Sequence, residues 1–230
     1  MQFHGGKEKI AKDLVRVISA FRGNRSRILA PFMGGASVES RVKDLFSVRD
    51  FGDLDQDLVT LWTAARDGWD PPCSLPKEEY YRLKTEGSSA LRGFAAYGLS
   101  FGGKRWGGYA HNARGDDFCG AARRGVLQKA QGLAGSNIEC RSYDTWNVDE
   151  NTLVYADPPY AGTTGYSGTG QWDAPKFWRA MKRWAAQGAL VLVSEYVAPP
   201  DWKSVWVREK KVTMRKDDNR AMAQEHLFTC

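Results

Sequence analysis

Residues 153–168 read LVYADPPYAGTTGYSG: a short apolar run, then Asp157, two prolines and Tyr160. A proline offers no backbone donor and has a fixed φ. It also pushes the residue before it to extended geometry. The result is a stiff, donor-poor corner carrying one carboxylate, carbonyl acceptors and one ring. An exocyclic amine of a nucleobase suits such a corner. Its lone pair is delocalised into the ring, so it is a weak nucleophile. The Asp157 carboxylate and a proline carbonyl can each accept one of its N–H bonds, favouring a tetrahedral nitrogen whose lone pair faces an electrophile. Tyr160 can stack on the base, worth about 1–3 kcal/mol. Asp157 then orients the amine and stabilises developing positive charge, while Pro158 and Pro159 hold the acceptors without reorganisation. The competing reading is a stiff turn with no chemistry.

Three further stretches have types and spacings that fit a ligand. In ILAPFMGGASVE (28–39), an apolar run feeds Gly34-Gly35 and then a helical pattern, the geometry that cradles a nucleotide-like ligand. The GxGxxG fingerprint of dinucleotide enzymes is absent, and a tight strand-helix turn is the plainer reading. In FGDLDQD (51–57), Asp53 ends a strand and is placed to accept from ribose hydroxyls, whereas Asp55 can cap the following helix. In FHGGKEK (3–9), Lys7 opens a helix and can pair with a ligand carboxylate or remain solvated.

The elements that must position these groups alternate. Ile10, Leu14, Val17, Ile18 and Phe21 predict an amphipathic helix within 8–21. RILAPF is a buried strand, Val38, Val42, Leu45 and Phe46 have helical spacing, and VRDFGDLD is a second strand. Leu54, Leu58, Leu61 and Trp62 predict the next helix. This strand-helix rhythm marks a parallel α/β sheet. It breaks at the proline-rich GWDPPCSLPKEE, and 67–132 reads as an inserted lobe. It resumes with IECRSY and TLVYADPPY, a helix bearing Phe177, Met181 and Trp184, then ALVLVSEY, KSVWVREKK and EHLFTC. About seven strands result, the last two a hairpin-like pair, with the sheet built from 1–66 and 133–230.

Bulk composition narrows the classes. With 42% hydrophobic residues and nine tryptophans, the chain can build a packed core. No apolar run approaches membrane-span length, and the first residues lack an apolar signal core, so a cytoplasmic location is expected. Cys73, Cys119, Cys140 and Cys230 show no CxxC spacing, so a disulfide or metal framework is not expected. The net charge of +6 permits a polyanionic partner without requiring one.

The order GGK, PFxGG, strand-end Asp, insertion, DPPY resembles the α group of DNA N6-adenine methyltransferases, the Dam-like enzymes. The resemblance runs from Phe3 to QEHLF and is strongest at 3–7, 31–38, 51–58 and 154–160. It implies a Rossmann-like methyltransferase fold with a small inserted target-recognition domain at 67–132. It implies S-adenosylmethionine as methyl donor and adenine flipped from duplex DNA as substrate. Phe3 and Lys7 match cofactor-contacting positions. Pro31, Phe32, Gly34, Gly35, Ala36 and Ser37 match the glycine motif beside the methionine arm. Asp53 matches the ribose acid, Tyr143 an aromatic beside the cofactor adenine, and Asp157 to Tyr160 the catalytic corner. Ala36 stands where another glycine is common, which an alanine tolerates if its φ stays negative.

In the lobe, Lys104, Arg105, Arg114, Arg123 and Arg124 interleave with Trp106, Tyr109 and glycines, a pattern that grips phosphates. His111 and Asn112 can read base edges. Lys210, Lys211, Arg215, Lys216 and Arg220 form a second basic cluster, equally a charged hairpin. The glycine-rich AGTTGYSGTGQ after the corner is expected to close over a flipped base. No obligate protein partner is evident. The rival readings are an N4-cytosine methyltransferase, which would use the same corner, and a non-catalytic DNA-binding protein that keeps the fold. The recognised site, the oligomeric state and the biological setting, restriction-modification or phage DNA protection among them, are not encoded legibly.

Overall fold

The computed structural model describes residues 1–160, 172–211 and 222–230. Seven strands form one sheet in the order β3-β2-β1-β4-β5-β7-β6. They are β1 (Arg27–Ala30), β2 (Val48–Asp53), β3 (Asn137–Cys140), β4 (Thr152–Ala156), β5 (Leu190–Glu195), β6 (Lys203–Lys211) and β7 (Met222–Thr229). The first five in that order pair in parallel. β7 then runs antiparallel to both β5 and β6. This is the Rossmann-like methyltransferase fold expected from the sequence, with its closing pair of strands. β7 does more than form a hairpin with β6: it inserts between β5 and β6 and leaves β6 as the edge strand.

Period-2 alternation explains why the sheet needs cover on both sides. Ile28 and Ala30 of β1, with Leu153 and Tyr155 of β4, pack into one core cluster. Leu29, Val154 and Ala156 pack into another. The first cluster takes Leu14 and Ile18 of α1 (Ala11–Phe21) and Leu58, Leu61 and Trp62 of α2 (Gln56–Arg66). The second takes Phe177, Met181 and Trp184 of α6 (Ala174–Ala186). The Asp55 side chain caps α2 by accepting from the Asp57 N–H at 2.8 Å. Asp173 caps α6 through the Lys176 N–H at 2.8 Å.

Residues 67–132 form α3 (Lys77–Leu83), α4 (Ala90–Gly93), a π-turn over Phe94–Gly98 and most of α5 (Phe118–Leu133). Their side chains do not form a separate core. Tyr80, Phe94, Tyr97 and Val126 share the first cluster with the sheet.

One expected helix is absent. Between Val38 and Phe46 the chain makes only a 3-10 turn, Glu39–Arg41. The spacing of Val38, Val42 and Phe46 reflects burial under α5, not helical repetition. Gly132 of α5 lies so close to this segment that a Cβ there would overlap the Ser40 carbonyl. The supposed anion site at a helix start after the glycine turn is therefore not built.

Close helix contacts set the shape of the lobe. A Cβ at Gly93 would overlap the Asp57 carbonyl on α2. Gly93→Ala is expected to destabilise the protein by about 2–3 kcal/mol through overpacking, read as a lower urea midpoint without a change in slope.

Candidate active site

The strand order reverses between β1 and β4, and such a switch point opens a crevice at the carboxyl ends of the strands. A cleft lies there, lined by residues of the N-terminal turn, the glycine turn, the end of β2 and the end of β4. β4 is buried along its length and delivers Asp157 straight into it. The two prolines follow, and the chain turns so that Tyr160 packs edge-on against Tyr196 with ring centroids 4.6 Å apart.

Lys7 organises this corner. Its ammonium lies 2.7 Å from the Asp157 carboxylate and 3.2 Å from that of Glu225 on β7. It also lies 4.5 Å from the centre of the Tyr160 ring, where cation–π attraction adds to the ion pairs. The Tyr160 hydroxyl donates to Glu225 at 2.9 Å and lies 3.0 Å from the Ser194 hydroxyl of β5. Burial works to depress the lysine, yet Asp157 and Glu225 outweigh it, and the ammonium is held above its usual range. Burial raises Asp157, and Lys7 opposes that rise without cancelling it. Lys7 thus belongs to the Asp157–Tyr160 corner, where the sequence reading offers it only as a partner for a ligand carboxylate. Glu225 and Ser194 were not singled out from the sequence. An acid or serine alternating with apolar residues reads like the solvent face of a strand, whereas here that face closes a buried site.

The glycine turn is braced from four directions. The Gly34 N–H donates to Asp53 at 3.0 Å, and the Trp62 indole N–H donates to the Gly34 carbonyl at 2.8 Å. Lys129 of α5 donates to the Gly35 carbonyl at 2.6 Å and to the Ser37 hydroxyl at 3.0 Å. Phe3 supplies the fourth brace. A Cβ on Gly34 or Gly35 would come within 2.9 or 2.7 Å of Phe3 atoms. These glycines therefore admit the Phe3 side chain from within the protein, a role the ligand-cradle reading did not include. Ala36 has φ 52°, not the negative value expected of an alanine. It occupies the left-handed region where glycine is favoured. Its methyl is fully buried, which offsets part of that cost.

Asp53 accepts from the Gly34 and Asp55 backbone N–H groups, each at 3.0 Å. Burial pushes its carboxyl up to about 6 against those donors. It lines the cleft together with Phe3, Phe32, Tyr97, Glu39 and Asp55. The Tyr97 hydroxyl donates to Asp55 at 2.5 Å, and the Tyr97 ring stacks on Phe3 at 5.2 Å. Tyr143 is not among the lining residues. Its ring is buried beside Phe32, Trp172 and Phe177, so it supports Phe32 from behind. Pro31 is likewise buried behind the cleft.

The basic and polar groups of the lobe divide into two sets. Lys104, His111, Arg114 and Arg124 are exposed. Arg105 turns inward to Asp55 at 2.9 Å and Asp57 at 2.8 Å. Arg123 bonds the Pro71 carbonyl at 2.9 Å and Asp70 at 2.7 Å, and the Tyr109 hydroxyl bonds the Leu75 carbonyl at 2.7 Å. Asn112 is exposed, but its amide organises its own turn through Asp116 and the Arg114 N–H. Arg105 and Arg123 therefore tie the lobe together, a role that composition alone does not distinguish from phosphate binding. The glycine-rich segment 161–171 and the basic residues Arg215, Lys216 and Arg220 lie outside the described residues, as do the side chains of Lys210 and Lys211.

The buried acids give a pH signature. Glu39 is held up to about 8, chiefly by burial, and Asp53 to about 6. An acid whose folded pKa is raised stabilises the fold below its unfolded value and loses that contribution as pH rises through its folded value. The contribution of these two acids should therefore fall between about pH 4 and 8, opposed above about pH 6 by the Met1 amine, which burial lowers to about 6. Glu39→Gln should flatten the upper part of that fall in urea titrations at stepped pH.

No family model matches this sequence, and no curated protein does. Among solved structures, a Pyrococcus horikoshii protein provisionally described as an RNA methyltransferase superposes with a TM-score of 0.43 at 11% identity, over 96% of this chain and 84% of its own. An Escherichia coli protein provisionally described as a methyltransferase gives 0.41 at 10% identity, over 96% and 84%. The magnesium protoporphyrin IX methyltransferase of Synechocystis PCC 6803, solved with bound SAM, gives 0.39 at 6% identity, over 96% and 78%. Likenesses this distant do not bear on substrate or cofactor, and the fold stands on the strand order of this chain.

Proposed function

We propose that this protein transfers a methyl group from S-adenosylmethionine to the N6 amine of adenine in double-stranded DNA. The observation that carries the reading is the position of Asp157. Its carboxylate enters the cleft from a Pro-Pro corner and is held by Lys7 at 2.7 Å. An amine that loses its lone pair to a methyl group gains positive charge, and a fixed carboxylate beside it stabilises that charge. The ion pair with Lys7 fixes the orientation of the carboxylate in advance.

The charge of the cleft supports this cofactor over a phosphate-bearing one. Glu39, Asp53, Asp55 and Asp157 line it, against Lys7 as the one lining cation among the described residues. Phosphates would meet repulsion there, and the glycine turn leads only into a 3-10 turn, while the start of α2 at the cleft is already capped by Asp55. S-adenosylmethionine brings a sulfonium and an ammonium, both of the favoured sign. Asp53 lines the cleft, and we assign it to the ribose hydroxyls, with the Phe3, Tyr97 and Phe32 rings as apolar walls. When bound, it would supply the electrophilic methyl group; the protein orients the amine and excludes water.

Outside the cleft the sign reverses. The chain carries +6 overall, and Lys104, Arg114 and Arg124 face solvent on the lobe at 67–132, which we assign to DNA contact. Phe101, 71% exposed in the same loop region, offers an apolar surface to an unstacked base step. Nothing in the site favours cytosine N4 over adenine N6, and the resemblance decides for adenine.

The test is incubation with methyl-labelled S-adenosylmethionine and unmethylated duplex DNA, followed by digestion to nucleosides and mass identification. N6-methyldeoxyadenosine is expected, with Asp157→Ala slower by about 10²–10³-fold. N4-methyldeoxycytidine would overturn the base assignment, and unlabelled DNA despite bound cofactor would overturn the activity.

A further inference from the structure

We propose that Glu39 is the acceptor for the ammonium of the cofactor's amino-acid arm, an inference that rests on the S-adenosylmethionine reading above. Glu39 belongs to the 3-10 turn that replaces the expected helix. The turn brings its side chain inward, where it is 3% exposed and lines the cleft with Lys7 and Asp157. A buried carboxyl ordinarily has a cation beside it. Among the described residues Glu39 has no ion pair; its bonds run to its own N–H and that of Val38.

The nearby cations are engaged with other partners. Arg41 bonds Glu8 and the Ser37 carbonyl. Lys129 holds Gly35, Ser37 and Glu8, and Lys7 holds Asp157 and Glu225. A second feature marks the same place. Tyr155 is 1% exposed and lines the cleft, and among the described residues its hydroxyl has Ser194 as its one hydrogen-bonding neighbour and no cation. Its surroundings include the carboxyls of Asp157, Glu39 and Glu225, each of which holds the phenol from ionising. Asp157 and Glu225 thus share Lys7, while Glu39 has only the charge of Lys129, beyond ion-pair distance. A primary ammonium fits this deficit: it brings the missing charge and three donors. A sulfonium brings charge without donors, and a hydroxyl brings a donor without charge.

The groups facing Glu39 set a proton linkage. Burial first, and then Asp157, favour its protonated form, while Lys129 opposes them. The carboxyl is held up to about 8, so it is largely neutral at pH 7. An ammonium arriving beside it favours the ionised form, and the proton leaves to solvent.

Calorimetry at pH 7 in two buffers of different ionisation heat tests this, with S-adenosylhomocysteine and 5′-methylthioadenosine as probes. The first carries the ammonium and the second lacks the amino-acid arm. Wild type should release about one proton on binding S-adenosylhomocysteine and none on binding methylthioadenosine. Glu39→Gln should bind S-adenosylhomocysteine about tenfold or more weakly, without proton release. Its affinity for methylthioadenosine should be unchanged, which also shows that the variant is folded. Unchanged S-adenosylhomocysteine affinity in Glu39→Gln would overturn the assignment, and so would an equal loss for both probes. A wild type that binds neither probe would remove the cofactor reading itself.

Discussion

The ammonium of Lys7 is the interaction on which the site depends. It joins the N-terminal turn, the end of β4 and β7 through Asp157 and Glu225. Removing charges from water costs several kcal/mol for each ion, and only close pairing and hydrogen bonds return it. Two buried carboxylates around one lysine are therefore a binding constraint on three segments. Tyr160 adds its ring to the cation and its hydroxyl to Glu225. The stiffness first inferred from two prolines is half of the account. The other half is an electrostatic clamp whose jaws come from distant parts of the chain.

The same N-terminal segment explains the glycine turn. Phe3 occupies the space that side chains on Gly34 and Gly35 would need. Trp62, Lys129 and Asp53 then satisfy the polar groups of that turn. The wall of the cleft is thus assembled from α2, α5, β2 and the N-terminal turn together. Arg105 extends this scaffold to the lobe by bonding Asp55, which borders the cleft and caps α2, and Asp57 in the first turn of that helix. Arg92, Tyr97 and Lys129 add further links between the lobe and the wall of the cleft.

Much of this was legible in the sequence, for identifiable reasons. Strands β1, β4 and β5 are apolar runs with turn residues at their ends, β2 is marked by the acids that close it, and α6 shows a clean helical stripe. Asp157, Asp53 and Lys7 stand at strand ends or beside glycines, where side chains reach ligands. The failures share a cause in tertiary packing. Val38, Val42 and Phe46 repeat like a helix because α5 covers them. Glu225, Ser194 and Lys129 look solvated because polar residues usually are, and only the fold reveals the partners that let them be buried. Arg105 and Arg123 belong to a basic-aromatic pattern that binds phosphates or carboxylates equally well. Tyr143 matched a family position, but the turn at Tyr143–Thr145 carries its ring behind Phe32.

The insertion of β7 between β5 and β6 has a consequence for how the molecule assembles. Lys7 and Glu225 are separated by nearly the whole described sequence, and Lys7 and Asp157 by more than half of it. Contacts of such high order close the largest loops in the chain, whose entropy must be spent before the contact returns anything. A partly folded chain therefore has its strands but not its clamp. The geometry of this site is a property of the completed topology.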